Sequence, residues 1–140
     1  MHCHATCVDF NGKGILLLGP SGSGKSDAAL RLMDAGALLV ADDQVILTRQ
    51  GESLTASPPP QIQGMMEVRG LGLIRCSFKA QTHLSLAVDL TPNLEVPRMP
   101  QARYFEALDV RVPLLILNPF EASFTAKVKA ALSDGFSFFA

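Results

Sequence analysis

Eight consecutive residues, Gly19-Pro20-Ser21-Gly22-Ser23-Gly24-Lys25-Ser26, follow the pattern G-x-x-x-x-G-K-[ST]. Its chemistry is the cradling of a polyphosphate. Glycines let successive backbone N–H groups turn inward around an anion. A helix starting there adds free amide donors and a partial positive charge. Lys25 suits the β- and γ-phosphates of a nucleoside triphosphate. The Ser26 hydroxyl suits Mg²⁺, a hard cation that takes oxygen ligands. The pattern leaves kinases, ATPases and switch GTPases open, so other residues must choose among them.

Asp42 and Asp43 are the next candidates. Neighbouring strand residues point to opposite faces, so one carboxylate can serve a metal or its water shell while the other faces an acceptor. A carboxylate taking the proton of an attacking hydroxyl is the base of phosphoryl transfer. The competing reading is a solvated turn, common for Asp after a strand. Glu67 and Arg69 are two residues apart and share a face if the strand runs through both. By spacing alone they read as a surface ion pair. His4, near the terminus, reads alone as structural, and His2, Cys3, His4 and Cys7 are cramped for a tetrahedral zinc site.

These residues need elements to hold them. Residues 15–18 are continuously apolar, as in a strand covered on both faces, and lead directly into the glycine-rich loop. Residues 26–35 read as a helix, with Ala29, Leu32 and Met33 on one face and Gly36 as its stop. Residues 7–10 read as an edge strand joined to 15–18 by the turn Asn11-Gly12-Lys13-Gly14. Residues 38–41 form a second buried strand ending at Asp42-Asp43. Residues 45–48 and 53–56 extend on either side of the turn at Gln50-Gly51, and Pro58-Pro59-Pro60 breaks regular structure. Glu67-Val68-Arg69 sits at a strand end ahead of Gly70-Leu71-Gly72. Residues 83–90 alternate, which puts Leu84, Leu86 and Val88 on one side. Residues 92–100 are a proline-rich loop, residues 114–117 a third buried strand, and residues 124–132 a final amphipathic helix. The strand–loop–helix unit and the acids at a strand's end are read in the frame of an open α/β sheet.

The 140 residues fit one domain, 1–140, with enough apolar content (48%) to bury a core. A net charge of −1 offers no electrostatic case for nucleic acid or an anionic membrane, so a phosphate ligand must be held locally. No apolar run is long enough to span a bilayer, and the N-terminus lacks the pattern of a secretion signal. Three cysteines make no disulfide framework, and reduced thiols in the cytoplasm are expected.

Together, the strand–loop–helix, Leu39-Val40-Ala41-Asp42-Asp43 and Glu67-Val68-Arg69-Gly70-Leu71-Gly72-Leu73-Ile74 resemble the C-terminal catalytic domain of bacterial HPr kinase/phosphorylase. The likeness is good from His4 to about Ile74 and traceable to Pro113. It implies a P-loop domain related to phosphoenolpyruvate carboxykinase, with a central mixed sheet and flanking helices. It also implies phosphorylation of a serine of HPr or an HPr-like phosphocarrier of the sugar phosphotransferase system with ATP and Mg²⁺, and removal of that phosphate by inorganic phosphate. Cytoplasmic homo-oligomers, commonly hexamers, are implied too. By the same resemblance, residues 19–26 hold the nucleotide, with Lys25 on its phosphates. Ser26 and Glu67 bind magnesium, Asp43 is the proton acceptor, and His4 assists at the site. Arg98 is the candidate later catalytic arginine, with Arg103 as competitor. The family's later Pro-, Gly- and Arg-rich segment, tied to dephosphorylation, reads here as Asn118-Pro119-Phe120-Glu121-Ala122-Ser123, without arginine. Two other functions stand beside the kinase: a nucleotide-sensing regulator and a small-molecule kinase, which would need an enclosed acceptor pocket.

Overall fold

The computed structural model describes residues 1–92 and 97–138. Its strands are β1 (His2–Cys3), β2 (Thr6–Phe10), β3 (Lys13–Leu18), β4 (Leu38–Ala41), β5 (Val45–Gln50), β6 (Ser53–Ser57), β7 (Met65–Val68), β8 (Gly72–Arg75), β9 (Thr82–Leu90), β10 (Tyr104–Ala107) and β11 (Val110–Leu117). The helices are α1 (Lys25–Asp34) and α2 (Phe124–Ala131). Nine strands form one mixed sheet. Its path runs β1-β5-β6-β9-β3-β2-β4, and β11 joins at β9 with β10 outside it. β7 and β8 form a separate hairpin.

Direction along the sheet decides where the site falls. β3 is parallel to β9, and β9 to β11. β2 runs antiparallel to both β3 and β4, so β4 points the same way as β3. The C-terminal ends of β3, β4, β9 and β11 therefore meet one edge of the sheet, where ligands gather in α/β folds.

The sheet is covered on both faces. On one, α1 and α2 bury Ala28, Ala29, Leu32, Phe124 and Val128 against Val8, Ile15, Leu17 and Val88. On the other, Cys7, Leu16, Val40, Leu47, Leu54, Ala87 and Val112 form a second core within the sheet. Residues 15–17 of β3 split between the two, as a strand covered on both sides must.

Three expectations differ from what is observed. β2 is not an edge strand: it lies between β3 and β4, with all five residues buried. Its mixed composition misleads because Thr6 and Asp9 are buried with partners. Leu84 does not share a face with Leu86 and Val88. A register shift of β9 against Gly14 and Ile15 of β3 inserts Ser85, and this bulge inverts the alternation. Leu84 then joins the second core, while Leu86 and Val88 join the helical one. β7 ends at Val68, so Arg69 belongs to the exposed turn rather than to the strand face of Glu67. The expected loop over 92–100 falls partly on residues 93–96, outside the described residues.

Asp9 of β2 is a buried carboxylate. Asp9 accepts from the Thr82 hydroxyl, the Gly12 amide at 2.9 Å and the Lys79 ammonium at 3.2 Å. Burial pushes its carboxyl upward, but these donors outweigh it and hold it below the ordinary carboxylate value. The same Asp9–Gly12 bond closes the β2–β3 turn, where Asn11 and Gly12 have positive φ.

Candidate active site

The loop after β3 turns on glycine conformations. Gly22 and Gly24 have φ of 84° and 95°, left-handed values that a side chain would strain. A Cβ on Gly19 would fall 2.4 Å from Ser23 Oγ. Gly24 is the N-cap of α1 and supplies no side-chain cap, so the first-turn amides remain open to an anion. Lys25 is 7% exposed and curls back, with Nζ donating to Gly19 O at 2.6 Å and Pro20 O at 3.1 Å. An ammonium has three protons, which leaves one for a ligand. Ser23 Oγ is buried without a hydrogen-bond partner. Such a group costs free energy unless something pairs with it, and a phosphate oxygen would. Open amides, one remaining lysine proton and an orphaned hydroxyl fit a polyphosphate.

Beside the loop, Asp42 acts as a junction. Its Oδ1 accepts from Ser26 Oγ at 2.7 Å and Thr6 Oγ1 at 3.1 Å, and its Oδ2 accepts from the Glu67 amide at 3.1 Å. One carboxylate thus ties the start of α1, the start of β2 and the β7–β8 hairpin to the end of β4. Asp42 is 7% exposed, and this set of donors is what makes its burial tolerable. Cys76 lies near enough for the Asp42 charge to add to burial in raising its thiol above the ordinary value, so it is a poor nucleophile.

Asp43 faces differently. Its φ is 68°, a left-handed conformation that Asp tolerates better than most residues. The turn is pinned by the Asp43 amide donating to Thr6 Oγ1 at 3.2 Å and the Ala5 amide donating to Asp43 O at 3.2 Å. This turn swings the side chain out, 65% exposed, where Oδ1 meets His4 Nε2 at 2.7 Å. His4 sits between β1 and β2 with its side chain 49% exposed.

Lys25, Ser26, Asp42, Asp43, His4 and the Glu67 backbone are therefore drawn to one edge of the sheet. No hydrogen bond or ion pair among the described residues joins Arg98 to this group. Arg98 lines a cleft of about 280 Å³ with Met99, Pro100 and residues 135–138. Arg103 contributes its backbone, with its carbonyl accepting from the Leu114 amide. Cys7 is buried in the second core, and among the described residues no group of His, Cys, Asp and Glu is arranged to hold a metal by itself. Mg²⁺ takes one or two protein oxygens and completes its shell with phosphate and water. The oxygens of Ser26 and Glu67 are of the right kind.

Sequence reasoning missed Thr6, the hydroxyl that serves both aspartates at once, and the junction role of Asp42. The available signal was a lone hydroxyl in the apolar run Ala5-Thr6-Cys7-Val8.

Comparison with known proteins bears on the family and the fold. A family model described as HPr Serine kinase C-terminal domain matches residues 1–119. The HPr kinase/phosphorylase of Chloroherpeton thalassium is 38% identical over 128 residues, spanning 83% of this chain and 38% of that protein. That of Caldanaerobacter subterraneus is 37% identical over 126 residues, spanning 81% of this chain and 41% of that one. The chain thus spans about two fifths of the length of these relatives. A solved structure of the Hpr(Ser) kinase/phosphatase from Coxiella burnetii superposes with a TM-score of 0.81 at 24% identity, covering 93% of this chain and 92% of that one. It establishes the α/β architecture with a mixed central sheet. With 119 residues matched continuously from the N-terminal strand through β11, the chain belongs to the HPr serine kinase C-terminal domain family.

Proposed function

We propose that this chain is an ATP-dependent protein-serine kinase acting on HPr or an HPr-like phosphocarrier of the phosphotransferase system. The observation that carries the reading is the Asp43–His4 pair, 2.7 Å apart and open to solvent on the same sheet edge as the phosphate loop. In the proposed reaction the loop amides, Lys25 and Ser23 hold the β- and γ-phosphates of ATP. Asp43 accepts the proton of the attacking serine as its oxygen bonds to the γ-phosphorus, the bond from that phosphorus to the β–γ bridging oxygen breaks and ADP leaves, and His4 holds the carboxylate in place. Ser26 and Glu67 would hold Mg²⁺, which would supply charge neutralisation on the phosphates.

The exposure of Asp43 favours a serine on another protein over an enclosed small acceptor. Relatives that are named HPr kinase/phosphorylase support the carrier assignment. Forward transfer is the direction assigned here. The segment 118–123 has no arginine, and its Glu121 is taken up by Lys127 at 2.6 Å. None of the helices among the described residues is long and apolar enough to cross a membrane. A cytoplasmic location, a homo-oligomer (a hexamer by resemblance) and no role for nucleic acid complete the proposal. The test is incubation with γ-labelled ATP, Mg²⁺ and purified HPr. Label on an HPr serine is expected; clear ATP binding with unlabelled HPr would overturn the kinase reading and favour a nucleotide sensor.

A further inference from the structure

The flank of the phosphate loop opposite the acids carries a largely exposed aromatic ring. β11 ends at Leu117, and the chain turns through Asn118, Pro119 and Phe120. The turn is held by the Phe120 amide donating to Asn118 Oδ1 at 3.0 Å and by the Glu121–Lys127 pair. A Cβ on Gly24 would lie 3.3 Å from Phe120 Cζ and 3.5 Å from Cε1, so the ring edge rests on the residue that opens α1. Yet Phe120 is 60% exposed. A single exposed phenylalanine is ordinary on a protein surface, but one fixed against a phosphate loop is not.

Sheet order gives the ring a direction. β3 and its loop are central; β4, with Asp42 and Asp43, lies beyond β2 on one flank, and β11 lies beyond β9 on the other. In phosphoryl transfer the attacking and leaving oxygens are roughly in line. With Asp43 and the acceptor on the β4 flank, the leaving nucleoside diphosphate extends toward the β11 flank. We propose that Phe120 is the stacking platform for the nucleotide's base and thereby a specificity-determining residue of this site. The proposal rests on the kinase reading for which flank the nucleotide takes. Stacking on an aromatic face tolerates any base, so Phe120 selects a nucleotide over a bare polyphosphate, not one purine over another.

The experiment compares the intact chain with Phe120→Ala and Phe120→Trp by calorimetric titration with Mg·ATP, Mg·GTP and Mg·tripolyphosphate. Circular dichroism checks that each variant is folded, which the exposure of the ring favours. Phe120→Ala is expected to weaken ATP and GTP about tenfold or more and to leave tripolyphosphate unchanged. The chain has no tryptophan, so Phe120→Trp creates a single reporter. Its fluorescence should be quenched by ATP and not by tripolyphosphate. Unchanged ATP affinity in Phe120→Ala, or equal weakening of ATP and tripolyphosphate, would overturn the assignment. Failure of the unaltered chain to bind either ligand would instead overturn the phosphate-loop reading, and the platform with it.

Discussion

Replacing Thr6 by valine removes one hydroxyl and nearly preserves volume, yet it touches both aspartates. Thr6 is fully buried. Its hydroxyl donates to Asp42 Oδ1 at 3.1 Å and accepts from the Asp43 amide at 3.2 Å. A bond to a carboxylate is worth about 1.5–3 kcal/mol and one to a neutral amide about 1 kcal/mol. Asp42 keeps two other donors, Ser26 and the Glu67 amide, which places the first loss at the low end of its range. The added methyl of valine offsets about 0.8 kcal/mol. The net expectation is a loss of about 2 kcal/mol, or a fall of roughly 6–10 °C in the thermal midpoint for a chain of this size. Thr6→Ser is the control: it keeps the hydroxyl and loses one buried methyl, at a cost of about 1 kcal/mol. Kinetics separate the two variants further. With its turn loosened, Asp43 no longer holds its angle to the acceptor, and transfer to HPr in Thr6→Val should fall about tenfold to a hundredfold with ATP affinity little changed. Thr6→Ser should stay near the unaltered rate. Should the valine variant melt no lower than the serine variant and transfer phosphate at the full rate, the idea that Thr6 sets the geometry of both aspartates is refuted.

Three further outcomes follow from the site and the core. Asp43→Ala should lower phosphate transfer by about two to four orders of magnitude while calorimetry still shows ATP binding, because the proposed base would act on the acceptor and not on the nucleotide. Loss of binding in the folded variant would contradict that role. Glu67→Gln should raise the magnesium concentration needed for half-maximal transfer without altering nucleotide affinity in the absence of metal; an unchanged magnesium dependence would remove Glu67 from the metal site. Asp9 has its carboxyl held below the ordinary value in the folded chain, so its ionised form favours folding above the unfolded value. That contribution is lost as pH falls through the lower folded value. Urea midpoints should therefore drop on acidification below about pH 4, and Asp9→Asn should be less stable at neutral pH with a flatter acid limb. A parallel decline in both proteins would show that other carboxyls set the acid limb.

The glycine-rich loop was legible because it is contiguous. The φ demands of Gly22 and Gly24, the apolar strand before them and the helix after them lie within a few residues of one another, so local stereochemistry determines the loop's conformation. The strand ending at Asp42-Asp43 was legible for the same reason. Local pattern failed where partners come from far along the chain. β2 read as an edge because nothing local shows that β4 pairs on its other side. Leu84 was assigned to the wrong face because the bulge is a property of the pairing with β3, not of β9 alone.

The chemistry of this chain therefore divides between two scales. Residues 19–26 and the acids at the end of β4 follow from sequence, because backbone conformation and side-chain type are local properties. What those acids do is decided by contacts across 16, 36 and 39 residues: Ser26 to Asp42, Thr6 to Asp42, and His4 to Asp43. These contacts form only when β3, β2 and β4 pair in register and bring separate segments to one edge. The placement of Phe120 against Gly24 belongs to the same scale, since the parallel path from β3 through β9 to β11 carries the end of the last strand to the phosphate loop.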